Sequence, residues 1–132
     1  MKITADTNVL VRALVGDDAR QSKAAQAELA KAELVALAIP ALCELVWVLS
    51  QGYKIPVAVI AEAIRRLINS GNVAVNRGAA EAGLEALEAG GDFADGVIAH
   101  EGAWLGADAF VSFDKQAVKL VKASGGAARV LS

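Results

Sequence analysis

Four acidic side chains stand where hydrolytic chemistry would need them: Asp6 in Ala5-Asp6-Thr7-Asn8, Glu44 alone among apolar residues, Asp95 in Asp92-Phe93-Ala94-Asp95, and Asp114 in Ser112-Phe113-Asp114. Carboxylates gathered in one place raise one another's pKa unless a cation neutralises them. A set of oxygen donors selects a hard divalent ion, Mg²⁺ or Mn²⁺, which keeps several of its waters. Zinc is disfavoured, because His100 is the only histidine and Cys43 the only thiol.

Each acid also has a plainer reading. Asp6 and Asp114 suit helix N-caps, where a short carboxylate accepts from the free amides of the first turn. Asp92 and Asp95, three apart at a helix start, resemble a capping-box pair and suit the macrodipole, and Asp92 is best read as the cap. Glu44 fits a structural role least well, since a carboxylate flanked by Leu42, Leu45 and Val46 must reach water or be compensated. Asp95 shares a helical face with Ile98, Ala99 and Gly102 and leans toward packed neighbours, the small Ala99 and Gly102 permitting close approach. His100 reads as a structural or surface residue.

The elements that must position these groups are punctuated by proline and glycine in the order expected of helix ends. Pro40 and Pro56 read as starts; Gly16, Gly52, Gly71, Gly90-Gly91, Gly106 and Gly125-Gly126 read as stops, giving six or seven helices. Val57, Ile60, Ala61, Ile64, Leu67 and Ile68 recur at helical spacing, with Arg65 and Arg66 turned away. Five short runs remain as strands: residues 2–5, 34–39, 73–75, 109–112 and 129–131. Strands alternating with helices predict an α/β fold with a parallel sheet. In such sheets ligands bind at the carboxyl ends of the strands, where Asp6 and Asp114 fall.

With 132 residues and no repeat or low-complexity linker, the chain is expected to be a single domain, 1–132. Hydrophobic residues make up 55% and aromatics 5%, so the core is expected to be aliphatic and helix-rich. Thirteen basic against 15 acidic residues, a net charge of −2, exclude a protein that coats nucleic acid through overall charge. The lone cysteine excludes an intrachain disulfide, and the charged Asp6 breaks any secretory leader, so a cytoplasmic location is expected. The longest apolar run, residues 34–43, contains Pro40 and falls well short of the ~20 residues that span a bilayer. No membrane association is expected.

The ordered set Asp6-Thr7-Asn8, Glu44, Asp92-Phe93-Ala94-Asp95 with Ile98-Ala99, and Ser112-Phe113-Asp114 resembles the PIN domain family over essentially the whole chain, and within it the VapC-type ribonuclease toxins of toxin–antitoxin pairs. That resemblance implies a three-layer α/β/α sandwich with a five-stranded sheet ordered 3-2-1-4-5. It implies catalytic and metal-binding roles for Asp6, Glu44, Asp95 and Asp114, with Asn8 and Ser112 orienting a ligand or water and Asp92 adding charge. Ser112 stands where threonine is common in the family and retains the hydroxyl. The implied activity is a Mg²⁺- or Mn²⁺-dependent endoribonuclease leaving a 5′-phosphate and a 3′-hydroxyl. The implied partners are RNA, tRNA among the candidates, a VapB-type antitoxin, and a second copy in a homodimer.

Candidate phosphate contacts are Arg12, Lys54, Arg65, Arg66, Arg77 and Lys115, with Arg12 and Lys115 nearest in sequence to the acids. Trp47 and Trp104 read as core or interface residues, and Leu45–Leu49 as a possible exposed apolar patch. Rival readings fit less well. A haloacid-dehalogenase-type phosphatase needs a second Asp two positions after the first, where Asn8 stands. A receiver-like binding module needs an acceptor Asp after the third strand, where Asn76-Arg77 stand. A PIN nuclease of RNA processing, rather than a toxin, remains the alternative within the family.

Overall fold

The computed structural model describes all 132 residues. Two compact units divide the chain, Met1–Asn76 and Arg77–Ser132. The first runs β1 (Lys2–Thr4), α1 (Thr7–Leu14), α2 (Ala19–Lys31), β2 (Leu34–Leu37), α3 (Ile39–Trp47), a π-helical turn over Val48–Gly52, α4 (Val57–Ile68) and β3 (Val73–Val75). The second runs α5 (Arg77–Glu88), α6 (Phe93–Trp104), β4 (Phe110–Ser112), α7 (Lys115–Ala123) and β5 (Ala128–Val130). All seven α-helices end within a few residues of a glycine or at a short link into a strand. The π-helical turn carries no composition signal of its own and was not expected.

Every strand pair is parallel, as helical crossovers require. The first unit has a three-stranded sheet in the order β1-β2-β3, with Ile3 opposite Val35 and Val35 opposite Val73. The second has a two-stranded sheet, β4-β5, with Val111 opposite Arg129. The α/β class is as expected. In place of a single five-stranded sheet the structure has two, carrying the 3-2-1 and 4-5 portions of the expected order.

In the first unit, Leu10 of α1, Val35 of β2, Leu42 and Leu45 of α3, Leu49, and Ile60 and Ile64 of α4 are fully enclosed. The stripe read along α4 is buried at Ile60, Ala61, Ile64 and Ile68, while Val57 is exposed at its first turn. In the second unit, Phe93 and Leu84 are fully enclosed, with Ala79, Ala80, Val97 and Val118 around them. Here α5 and α6 approach closely because glycine faces them: a Cβ on Gly83 would lie 2.7 Å from the Phe93 ring, and one on Gly96 would collide with the carbonyl of Ala82. Gly96 is thus the close-approach residue of α6, in place of the expected Gly102, around which a Cβ would meet nothing.

Both tryptophans are exposed, Trp47 at 65% and Trp104 at 81%, contrary to a core reading. Helical phase explains this: in α3, Leu42, Leu45 and Val46 fill the inward face and leave Trp47 outside. The expected apolar patch at Leu45–Leu49 reduces to Trp47 and the half-buried Val48, since Leu45, Val46 and Leu49 are core. No helix is long and apolar enough to cross a membrane.

Candidate active site

In the first unit, Asp6 follows β1 in extended conformation and caps α1, its Oδ1 accepting from the Val9 amide at 3.0 Å. The cap occupies one carboxylate oxygen and leaves the other without a protein hydrogen bond. Glu44 lies on the outer face of α3, exposed while Ala41, Leu42, Leu45 and Val46 are buried. It reaches water, as a carboxylate in an apolar segment must. The Thr7 hydroxyl donates to its Oε1 at 3.3 Å, tying the first turn of α1 to α3. Thr7, inside the Asp6-Thr7-Asn8 motif, is a contact of a candidate acid that sequence reasoning did not single out. Asn8 is exposed beside it.

Arg12 is committed elsewhere. Its Nη1 donates to Asp17 Oδ1 at 2.9 Å, and the Tyr53 hydroxyl, delivered by the π-helical turn, donates to Asp17 Oδ2 at 2.8 Å. The Tyr53 hydrogen bond, together with Arg12, holds the Asp17 carboxyl below its ordinary range, against a smaller opposing effect of burial. The Arg12 guanidinium and the Tyr53 phenol, each hydrogen-bonded to Asp17, are raised. Arg12, a candidate phosphate contact, thus carries an ion pair to Asp17, a carboxylate that also accepts from Tyr53.

In the second unit, Asp114 follows β4 and caps α7, its Oδ1 accepting from the amides of Gln116 at 2.9 Å and Ala117 at 3.2 Å. The Ser112 hydroxyl accepts from the Asp114 amide at 3.0 Å and so fixes the turn that presents this acid. Asp92 occupies the N-cap position of α6, but its carboxylate bonds no amide of the first turn, so the capping-box reading does not hold. Gln116 Nε2 donates to the Gly90 carbonyl at 3.0 Å, joining the start of α7 to the loop that carries Asp92. Gly90 stands at φ +94°, a conformation that glycine adopts without a steric penalty.

Asp95, in the first turn of α6, is half-buried, and its pKa is raised, first by burial and then by the charges of Asp92 and Asp114. Asp92, Asp95 and Asp114 line one cavity of this unit. Lys115, next to Asp114, is exposed and forms no ion pair. Lys54 is also exposed; Arg66 is paired with Glu62 and Arg77 with Glu81. His100 is half-buried, with no protein partner for its Nε2.

Within neither unit do three His, Cys, Asp or Glu side chains converge into a ready-made metal cage. The donor chemistry nonetheless fits a hard cation: carboxylate oxygens only, three of them lining one cavity in the second unit and one oriented by a hydroxyl in the first. No curated protein matches the chain in sequence. The family model for the PIN domain matches residues 3–123 and spans all four acids. Over that extent the chain belongs to the PIN domain family, whose members are generally nucleases that act on RNA and use divalent metal ions.

Proposed function

We propose that the protein is a Mg²⁺- or Mn²⁺-dependent endoribonuclease built as one nuclease domain, with Asp6, Glu44, Asp95 and Asp114 as the acids of its metal centre. The observation that carries this reading is Asp95, a half-buried carboxylate that lines one cavity with Asp92 and Asp114 and whose pKa is raised by burial and by their charges. Such repulsion is relieved by a divalent ion. The strand ends support the same grouping, since Asp6 and Asp114 both follow the carboxyl end of a parallel strand.

The cation, when bound, supplies an activated water and neutralises charge developing on the phosphodiester. The chain's own residues prepare the site. Asp6 and Asp114 each use one oxygen as a cap and keep the other for a ligand. Thr7 fixes the carboxylate of Glu44, and Ser112 fixes the backbone of Asp114. Asn8 and Ser112 orient the ligand or water, Asp92 adds charge, and Lys115 meets a substrate phosphate. Hydrolysis leaves a 5′-phosphate and a 3′-hydroxyl.

Within this reading the protein is the cytoplasmic toxin of a type II toxin–antitoxin pair, a homodimer silenced by a VapB-type antitoxin, with tRNA among its substrates. The likeness of its ordered acidic set, Glu44 included, to such toxins supports that assignment. The test is cleavage of a tRNA and structured-RNA panel with Mg²⁺ or Mn²⁺, with EDTA, and by Asp95→Asn protein. Cleavage by the wild type with metal alone is expected; equal cleavage by the variant would remove Asp95 from the site. Growth arrest on expression, absent in the variant, tests the toxin role.

A further inference from the structure

The two-stranded sheet of the second unit has one face open. Phe110 and Ser112 of β4 and Ala128 of β5 are half-buried, while Val111 and its register partner Arg129, which alternate with them, are exposed. Parallel strands are ordinarily covered on both faces. Directly after β4, Phe113 is 72% exposed, although Phe93 is enclosed and Phe110 half-buried. Two hydrogen bonds at Ser112 hold the turn that carries this ring: its hydroxyl accepts from the Asp114 amide at 3.0 Å and its carbonyl from the Leu131 amide at 2.8 Å. Charge follows the same segment. Residues 110–132 hold four basic side chains, Lys115, Lys119, Lys122 and Arg129, against one acid, Asp114, in a chain of net charge −2. Lys115 and Arg129 are exposed and form no ion pair.

Resting on the nuclease reading above, we propose that this open face holds single-stranded RNA, with an unpaired base stacked on the Phe113 ring and phosphates met by Arg129 and Lys115. An aromatic ring in water offers a stacking platform that accepts any base, because every base has a π-face. Duplex RNA keeps its bases paired and stacked inside, so the ring selects loops and unpaired ends. A second protein chain could also cover an apolar face, but the local excess of unpaired positive charge favours a polyanion. The placement fits the proposed chemistry. Phe113 and Asp114 are consecutive, with Cα atoms about 3.8 Å apart, so a nucleotide stacked on the ring keeps its phosphate within reach of an acid of the proposed metal centre.

The test uses the full-length protein in EDTA, which keeps the RNA whole, and fluorescence anisotropy of three labelled probes: a short mixed-sequence RNA single strand, the same sequence as a duplex, and the single strand with abasic residues. The intact single strand is expected to bind tightest. Phe113→Leu, which keeps apolar bulk and removes the ring, is expected to weaken it about tenfold and to leave the abasic strand unchanged, while Phe113→Trp restores binding. Arg129→Gln is expected to lower the log–log salt slope by about 0.7, the loss of one phosphate contact. No binding of the single strand, a preference for duplex, or equal affinity in Phe113→Leu would overturn the proposal. Sedimentation of the wild type and Phe113→Leu supplies the other check: a dimer lost in the variant with RNA affinity unaltered would give this face to a second copy and overturn it as well. Metal-dependent cleavage whose KM is unmoved by Phe113→Leu would sink the surface and leave the nuclease. Ring-dependent binding without cleavage in Mg²⁺ or Mn²⁺ would do the reverse.

Discussion

The Thr7 hydroxyl donates to Glu44 Oε1 across 3.3 Å, so the residue after the Asp6 cap fixes the one acid that α3 presents to solvent. Removing this donor leaves both helices packed, because the bond is exposed and worth about 1 kcal/mol or less. Thr7→Val is therefore expected to leave the melting temperature nearly unchanged and to lower kcat/KM about tenfold or more, the scale seen when groups that orient metal ligands are removed. Thr7→Ser should restore most of the activity. Steady-state kinetics on a cleaved RNA, beside thermal melts, checks this.

Asp95 makes a pH-dependent prediction. Its folded pKa lies above its ordinary value, so the folded chain binds a proton more readily than the unfolded chain. Stability from this group is fully present below the ordinary value of 3.8 and is lost as pH rises through the raised folded value. In EDTA, Asp95→Asn should raise the melting temperature at neutral pH, and the gain should vanish in acid. Melts across that range check it; an unchanged or lower melting temperature at pH 7 would contradict it.

Two glycines of α6 separate packing from propensity. Gly96→Ala drives a methyl toward the Ala82 carbonyl and is expected to cost about 1–3 kcal/mol. Gly102→Ala meets nothing and should stabilise by up to about 1 kcal/mol. Denaturant unfolding of the two variants decides between them.

Much of this was legible in the sequence, for physical reasons. Glycine and proline placed the helix ends, and the capping roles of Asp6 and Asp114 followed from their position between a strand and a helix. What failed depended on side-chain geometry and packing that spacing alone does not fix. Asp92 matched a capping box by spacing yet bonds no amide of the first turn, and Gly96 rather than Gly102 faces α5. Of the core or interface reading of Trp47, the core half fails because an apolar run does not reveal which of its residues falls outside the helix's buried arc.

The contrast between two cations carries a prediction on RNA binding. Lys115 is exposed and unpaired, so Lys115→Ala should weaken binding and reduce the salt dependence of affinity by about 0.7 in log–log slope, the loss of one phosphate contact on a single strand. Arg12 is held by Asp17, so Arg12→Ala should leave that slope unchanged. Binding of a non-cleaved RNA by the Asp95→Asn protein at several salt concentrations measures both.

The account turns on Glu44 and Asp95 serving the same ion. Mn²⁺ affinity, measured by titration calorimetry in the wild type, Glu44→Gln, Asp95→Asn and the double variant, tests this directly. Acids that share one ion are expected to give losses that do not add, the second substitution costing far less in the variant that already lacks the first. Fully additive losses, or Mn²⁺ binding unaffected by either substitution, would show that the two acids do not belong to one centre.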